Sequence, residues 1–139
     1  MIRLLIVEPD ATFAHKVADE ARRLDYVPVL MEDPTLASDL LASDELFDLV
    51  LVSGDIEPSL LHQIVRSVFA RDLLAEIVVT GQHLLVAPVV TLMRMGVSNV
   101  VVREGDPLAQ VELTMSALRE SVRSREQDAE SLRRVGNPS

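Results

Sequence analysis

The sequence predicts an α/β fold: a doubly wound, parallel sheet of five strands with an extended C-terminal helix. Three observations predict it. Short apolar runs recur along the chain, each bounded by Gly, Pro or acidic residues. They lack polar alternation and are rich in β-branched residues, as strands buried on both faces are. Between them lie segments whose apolar residues repeat at helical spacing.

The elements follow in order. Arg3–Val7 reads as a buried first strand ending in the acidic turn Glu8-Pro9-Asp10. Asp10 or Thr12 caps a helix over 12–24, with Phe13, Val17, Ala21 and Leu24 on its inner face. Val27–Met31 is a short second strand, and Asp33-Pro34-Thr35 opens a helix with Leu36, Leu40 and Leu41 inward. Phe47–Pro58, FDLVLVSGDIEP, supplies the third strand and the loop beyond it. A helix over 59–71 follows, with Leu60, Leu61, Ile64, Val65 and Val68 inward. Glu76–Thr80 is the fourth strand, ending at Gly81, and 83–95 the fourth helix. Asn99–Val102 is the fifth strand, and Asp106-Pro107 starts the last helix with Asp as N-cap and Pro at the first helical position.

Composition narrows the function. A length of 139 residues suits one domain and a tail, and 48% hydrophobic residues with a positive mean hydropathy suffice for a core. Aromatics are 3%, so that core is aliphatic. A net charge of −9 speaks against binding nucleic acid or anionic membrane, both of which require basic surface. The absence of cysteine excludes disulfides and thiolate metal sites. No apolar run reaches the ~18 residues of a membrane span, and Ile2–Val7 enters a strand without a signal-peptide layout, so a cytoplasmic location is expected. No Gly-rich phosphate loop follows the first strand, which argues against a nucleotide-binding enzyme.

Over roughly residues 2–122 the chain resembles the receiver domain of two-component response regulators. LLIVEPD resembles the first strand and its acidic loop, and FDLVLVS the third strand leading to the phosphoacceptor. EIVVTG resembles the fourth strand ending in the switch Thr, here Thr80, and GVSNVVVRE the turn, fifth strand and Lys-Pro region. The resemblance implies a flavodoxin-like, receiver-type fold. It also implies a phosphoacceptor at the position of Ser53, a paired acidic loop at Glu8-Pro9, a Lys at Arg103, a Pro at Glu104 and an aromatic switch at Val100. Each of these departs from the family pattern.

Aspartyl phosphorylation requires a carboxylate nucleophile and Mg²⁺ held by several acidic oxygens. Ser53 is a far poorer nucleophile without a neighbouring base, and a valine cannot act as an aromatic rotamer switch. The expectation is a pseudo-receiver, not an enzyme, with no cofactor. Ser53 reads as a small residue ending a buried strand or as a phosphoserine site. Asp55 reads as a solvent-facing turn residue or as a displaced acceptor working with Glu8, Asp10 and Mg²⁺. Glu8, Asp10 and Arg103 either form an ion pair across the strand ends or stand as independent exposed charges. Thr80 is expected to satisfy a backbone group at its strand end. His15, His62 and His83 are too scattered for a metal site.

Two surfaces carry the expected partners. Leu84–Met95 contains one charged residue, Arg94, and is apolar nearly all round. Either part of it lies exposed as an interface or Pro88 distorts it and buries more of it than usual. In the last helix Leu108, Val111, Met115, Leu118, Val122, Arg125, Ala129 and Leu132 follow alternating steps of three and four, broken at Arg125. The helix is expected to reach about Arg134, roughly 40 Å at 1.5 Å per residue, and to stop at Gly136-Asn-Pro-Ser139. The overall expectation is a receiver-like domain over 1–122 and a helical extension or linker over 123–139. It would act as a protein–protein interaction module in signalling or transcriptional regulation. A homodimer is expected through the fourth helix, fifth strand and fifth helix, with Leu85, Val89, Leu92, Met93, Val111, Met115, Leu118 and Val122 as interface residues. An output domain or signalling protein is the other expected partner, and the chain reads equally as a small complete protein or as a piece cut at a linker.

Overall fold

The computed structural model describes residues 1–136. Its elements are β1 (Arg3–Val7), α1 (Ala11–Arg23), β2 (Val27–Met31), a 3₁₀ turn (Pro34–Leu36), α2 (Ala37–Ala42), β3 (Leu49–Ser53), α3 (Pro58–Arg71), β4 (Glu76–Gly81), α4 (Val86–Met95), β5 (Asn99–Val102) and α5 (Pro107–Gly136). The five strands form one sheet in the order β2-β1-β3-β4-β5, and every pairing is parallel. The expected flavodoxin-like, doubly wound fold with a long last helix is therefore the observed one. The expected helix stop over Asn137–Ser139 lies outside the described residues.

The sheet is buried on both faces. Leu5, Val7, Val50, Val52, Ile77 and Val79 pack with α2, α3 and Leu92 of α4. Their neighbours Leu4, Ile6, Leu49, Leu51 and Val78 face the other way, against Phe13, Val17 and Ala21 of α1 and Val111, Met115, Leu118 and Val122 of α5. Strand side chains alternate between faces, so continuous apolar runs serve both layers.

Three helix boundaries differ from expectation, each for a local reason. Asp33 caps through its side chain onto the Thr35 N–H, but the turn it starts is 3₁₀, and α proper begins only at Ala37. Leu36 therefore stays exposed while Leu41 is buried. Leu24 follows the last turn of α1 as its C-cap and is also exposed, not inward. α4 starts at Val86, not 83, because Leu85 is extended, with φ −100° and ψ 153°, and stands as the N-cap.

The larger correction concerns the interface residues. Leu92, Val111, Met115, Leu118 and Val122 are buried within the domain itself. A domain of this size uses the whole inner stripe of α5 to cover its sheet, so these side chains belong to the core and not to a free surface.

Candidate functional site at the strand ends

Parallel strands bring their carboxyl ends to one edge, and the order reverses between β1 and β3, where such sheets place their sites. The register sets Ser53 beside Thr80, Val52 beside Val7, and Gly81 beside Val102. Loops carrying Glu8, Asp10, Ser53, Asp55 and Arg103 therefore converge.

Arg103 dominates the site. It follows β5 directly, and its backbone N–H donates to the Gly81 carbonyl at 2.8 Å. Its side chain is buried and crosses to the loop after β1. There Nη1 donates to Glu8 Oε1 and Nη2 to Asp10 Oδ2, each at 3.0 Å. Nε donates to Gln110 Oε1 at 3.3 Å, and the guanidinium carbon stands 3.7 Å from the centroid of the Phe13 ring. Of the two readings open from the sequence, the ion pair across the strand ends is the one observed. Arg suits it because its planar fork serves two carboxylates while its face rests on an aromatic ring.

The two carboxylates differ in environment. Burial pushes the Glu8 carboxyl above its ordinary range. The Asp10 N–H and Arg103 pull it back, while the charges of Asp10 and Asp55 add to the rise. Asp10 is the N-cap of α1 and largely exposed. The Phe13 N–H that it accepts, together with Arg103, holds its carboxyl below the ordinary value. Pro9 between them is exposed and gives the loop no oxygen ligand from its side chain.

The donor set does not fit a Mg²⁺ ion of the kind the receiver resemblance implies. A hard cation requires several free carboxylate oxygens. Here one oxygen of Glu8 and one of Asp10 are turned onto a guanidinium, and the third position is the hydroxyl of Ser53.

Ser53 is buried, and its Oγ accepts the Asp55 N–H at 3.2 Å. Thr80 is also buried, but its Oγ1 has no hydrogen-bond partner among the described residues. The expectation that Thr80 satisfies a backbone group is therefore wrong: the backbone at the end of β4 is already bonded, its carbonyl to the Gly54 N–H at 2.7 Å. Asp55 is an exposed turn residue, as one of its two readings had it, but its carboxylate is engaged. Its Oδ2 accepts the Gln82 N–H at 2.8 Å and its Oδ1 the His83 N–H at 3.0 Å. It thus latches the loop after β3 to the loop after β4.

Leu84 was not legible as a site residue. Its Cδ2 would lie 2.6 Å from a Cβ at Gly54 and 2.7 Å from one at Gly81. Both glycines leave room for this one side chain, which covers the mouth between β3 and β4. Behind it a cleft of about 240 Å³ opens between the β3–α3 loop and α4, lined by Ile56, Leu61, Leu85, Pro88 and Val89 among others.

The fourth helix is as exposed as its composition suggested. Leu85 is 70% exposed, Val86 81%, Val90 42% and Met93 48%, whereas Leu92 is 1%. Pro88 is the third residue of the helix, where its missing N–H has no intrahelical partner to lose, so it neither distorts nor buries α4. Val102 on the edge strand β5 and Leu113 on α5 are exposed as well. Helical spacing puts Leu113 in line with Glu120 and Ser124, which line a cleft beside the start of β5. The apolar surface of the α4–β5–α5 side is therefore built from Leu85, Val86, Val90, Met93, Val102 and Leu113.

No protein-family model matches the sequence, and no curated protein matches it. Solved structures do match. The chain is similar to the signal receiver domain of an HD-domain-containing protein from Pseudomonas fluorescens Pf-5, at 16% identity and a TM-score of 0.71, over 91% of this chain and 98% of that one. It is similar to a CheY-like response regulator receiver domain protein from Methanospirillum hungatei JF-1, at 15% identity and TM-score 0.68, over 89% and 98%. A pilus assembly protein, CpaE from Caulobacter crescentus CB15, matches at 22% identity and TM-score 0.62, over 84% and 98%. The fold is that of CheY-like receiver domains. Among the described residues no helix is long and apolar enough to cross a membrane.

Proposed function

We propose that this chain is a receiver-type signalling module that works by association and not by aspartyl phosphorylation. The observation that carries the reading is the Arg103 clamp. A buried guanidinium engages the two remaining acidic side chains of the first loop, and a serine stands at the end of β3. The site is thereby tied into one arrangement. The Asp55 latch and the Leu84 cover act in the same sense, since they fix the loop that follows Thr80. The output surface in this reading is the apolar α4–β5–α5 side, with a second copy of the chain as its partner. A cytoplasmic signalling or transcriptional-regulatory protein is the setting that fits.

The deciding experiment is the intact mass after incubation with Mg²⁺ and a small-molecule phosphodonor, with Asp55→Asn alongside. No added phosphoryl group is expected. A single added group that disappears in Asp55→Asn would overturn the reading and make the domain a phosphorylation switch.

A further inference from the structure

The stripe of α5 is interrupted at Arg125, and the structure gives the interruption a use. α5 runs unbroken from Pro107 to Gly136, with no glycine or proline between those two residues. It therefore has no internal hinge of the usual kind. Its buried residues end at Val122. One turn later Arg125 Nη2 lies 3.3 Å from Asp48 Oδ1 and 2.9 Å from Asp72 Oδ2.

Both carboxylates are fixed in turn. Asp48, at the entry to β3, accepts the Arg3 N–H on its other oxygen at 2.9 Å. Asp72, the C-cap of α3, accepts the Leu74 N–H on its other oxygen, also at 2.9 Å. The three side chains are only partly exposed, which lessens the solvent screening of the pair. Arg125 thus ties one helix to two separate elements, at the end of the sheet opposite the Arg103 clamp. Two anchor points restrain both the tilt of a helix and its rotation about its own axis.

We propose that Arg125 is a positioning residue that fixes the direction in which the C-terminal arm, residues 126–136, leaves the domain. The arm is then a strut about 16 Å long and not a flexible tether. Whatever is attached to it or docks on it inherits an orientation set by Asp48 and Asp72. The same contact explains the broken stripe: the position that would face a partner helix is turned onto the domain.

The chain has no cysteine, so a pair of spin labels can be placed cleanly at Gln63→Cys on α3 and Ser131→Cys on the arm. Labelled protein is diluted with unlabelled protein to suppress distances between copies. The full chain should give one narrow distance, Arg125→Glu should lose it for a broad distribution, and Arg125→Lys should keep it, since a single nitrogen, Nη2, meets both carboxylates. A distribution that stays narrow in Arg125→Glu, or that is as broad in Arg125→Lys as in Arg125→Glu, would overturn the proposal. Should Arg125→Glu not fold, Asp48→Asn with Asp72→Asn takes its place, since each keeps an oxygen for the Arg3 or Leu74 N–H it accepts. An unchanged distance in that variant would be equally decisive against the clamp.

Discussion

The guanidinium of Arg103 stands over the ring of Phe13, 3.7 Å from its centroid, so the cation that pairs with Glu8 and Asp10 also rests on the first buried turn of α1. Removing that guanidinium leaves a buried carboxylate without its countercharge. Arg103→Ala is therefore expected to destabilise the domain by about 3–5 kcal/mol, the usual cost of breaking one side of a buried pair. Arg103→Lys should recover only part of this, because one ammonium cannot reproduce a planar fork shared by two carboxylates. Urea unfolding checks both, and a loss no larger than that of an exposed pair, below about 1 kcal/mol, would sink the clamp as a structural device.

The two carboxylates should oppose each other in pH dependence. Asp10 is held below its ordinary value of 3.8 when folded, so the unfolded chain binds more protons in that window. Its stabilisation is complete above that value and is lost as pH falls through its folded pKa. Glu8 is raised above 4.5, so its contribution is greatest below 4.5 and is lost as pH rises through its folded pKa. Asp10→Asn should flatten the acid limb of a stability profile, and Glu8→Gln should flatten the decline above 4.5. Slopes of unfolding midpoint against pH are the readout, and profiles parallel to that of the unaltered chain would contradict both assignments.

The burial difference within α4 gives a test of the surface. Val90→Glu and Met93→Glu place a charge on exposed apolar positions and should convert a dimer to a monomer with the fold intact. Leu92→Glu and Leu118→Glu bury a charge without a partner and should abolish folding instead. Sedimentation velocity separates the first outcome, and far-UV circular dichroism the second. A native chain that is monomeric at high concentration would remove the dimer from the proposal.

Gly54 is packed and not merely permitted. A Cβ there would meet Leu84 Cδ2 at 2.6 Å and Val79 Cγ1 at 2.9 Å. Leu84 can swing aside, but a β-branched strand residue is stiff. Gly54→Ala is expected to cost about 1–3 kcal/mol, as overpacking does. Adding Leu84→Ala should relieve only part of it, which thermal unfolding of the two variants would measure.

Much of this molecule was legible before folding. The five strands fall where the apolar runs placed them, and Asp10 caps α1 as its position suggested. The resemblance carried by LLIVEPD, FDLVLVS, EIVVTG and GVSNVVVRE agreed with the fold. The charges of the site were also found, since Glu8, Asp10 and Arg103 stood out as departures from a pattern. Which of them meet is not a local property of the chain, because 93 positions separate Arg103 from Asp10.

The sequence by itself determined the order and identity of the strands and helices, because a continuous apolar run and a 3.6-residue period are local properties of the chain. It also determined that Ser53, and not a carboxylate, ends β3. Only the tertiary structure decided which apolar residues are core and which are surface. Leu92 and Met93 are neighbours of similar hydrophobicity, yet one faces the sheet and the other solvent. Only the tertiary structure, too, put Arg103 on two carboxylates, Asp55 on the loop after β4, and Arg125 on Asp48 and Asp72. The reason is that a charge has no local period: its partner is set by where the strand ends and helix ends converge, and that convergence exists only once the sheet has formed.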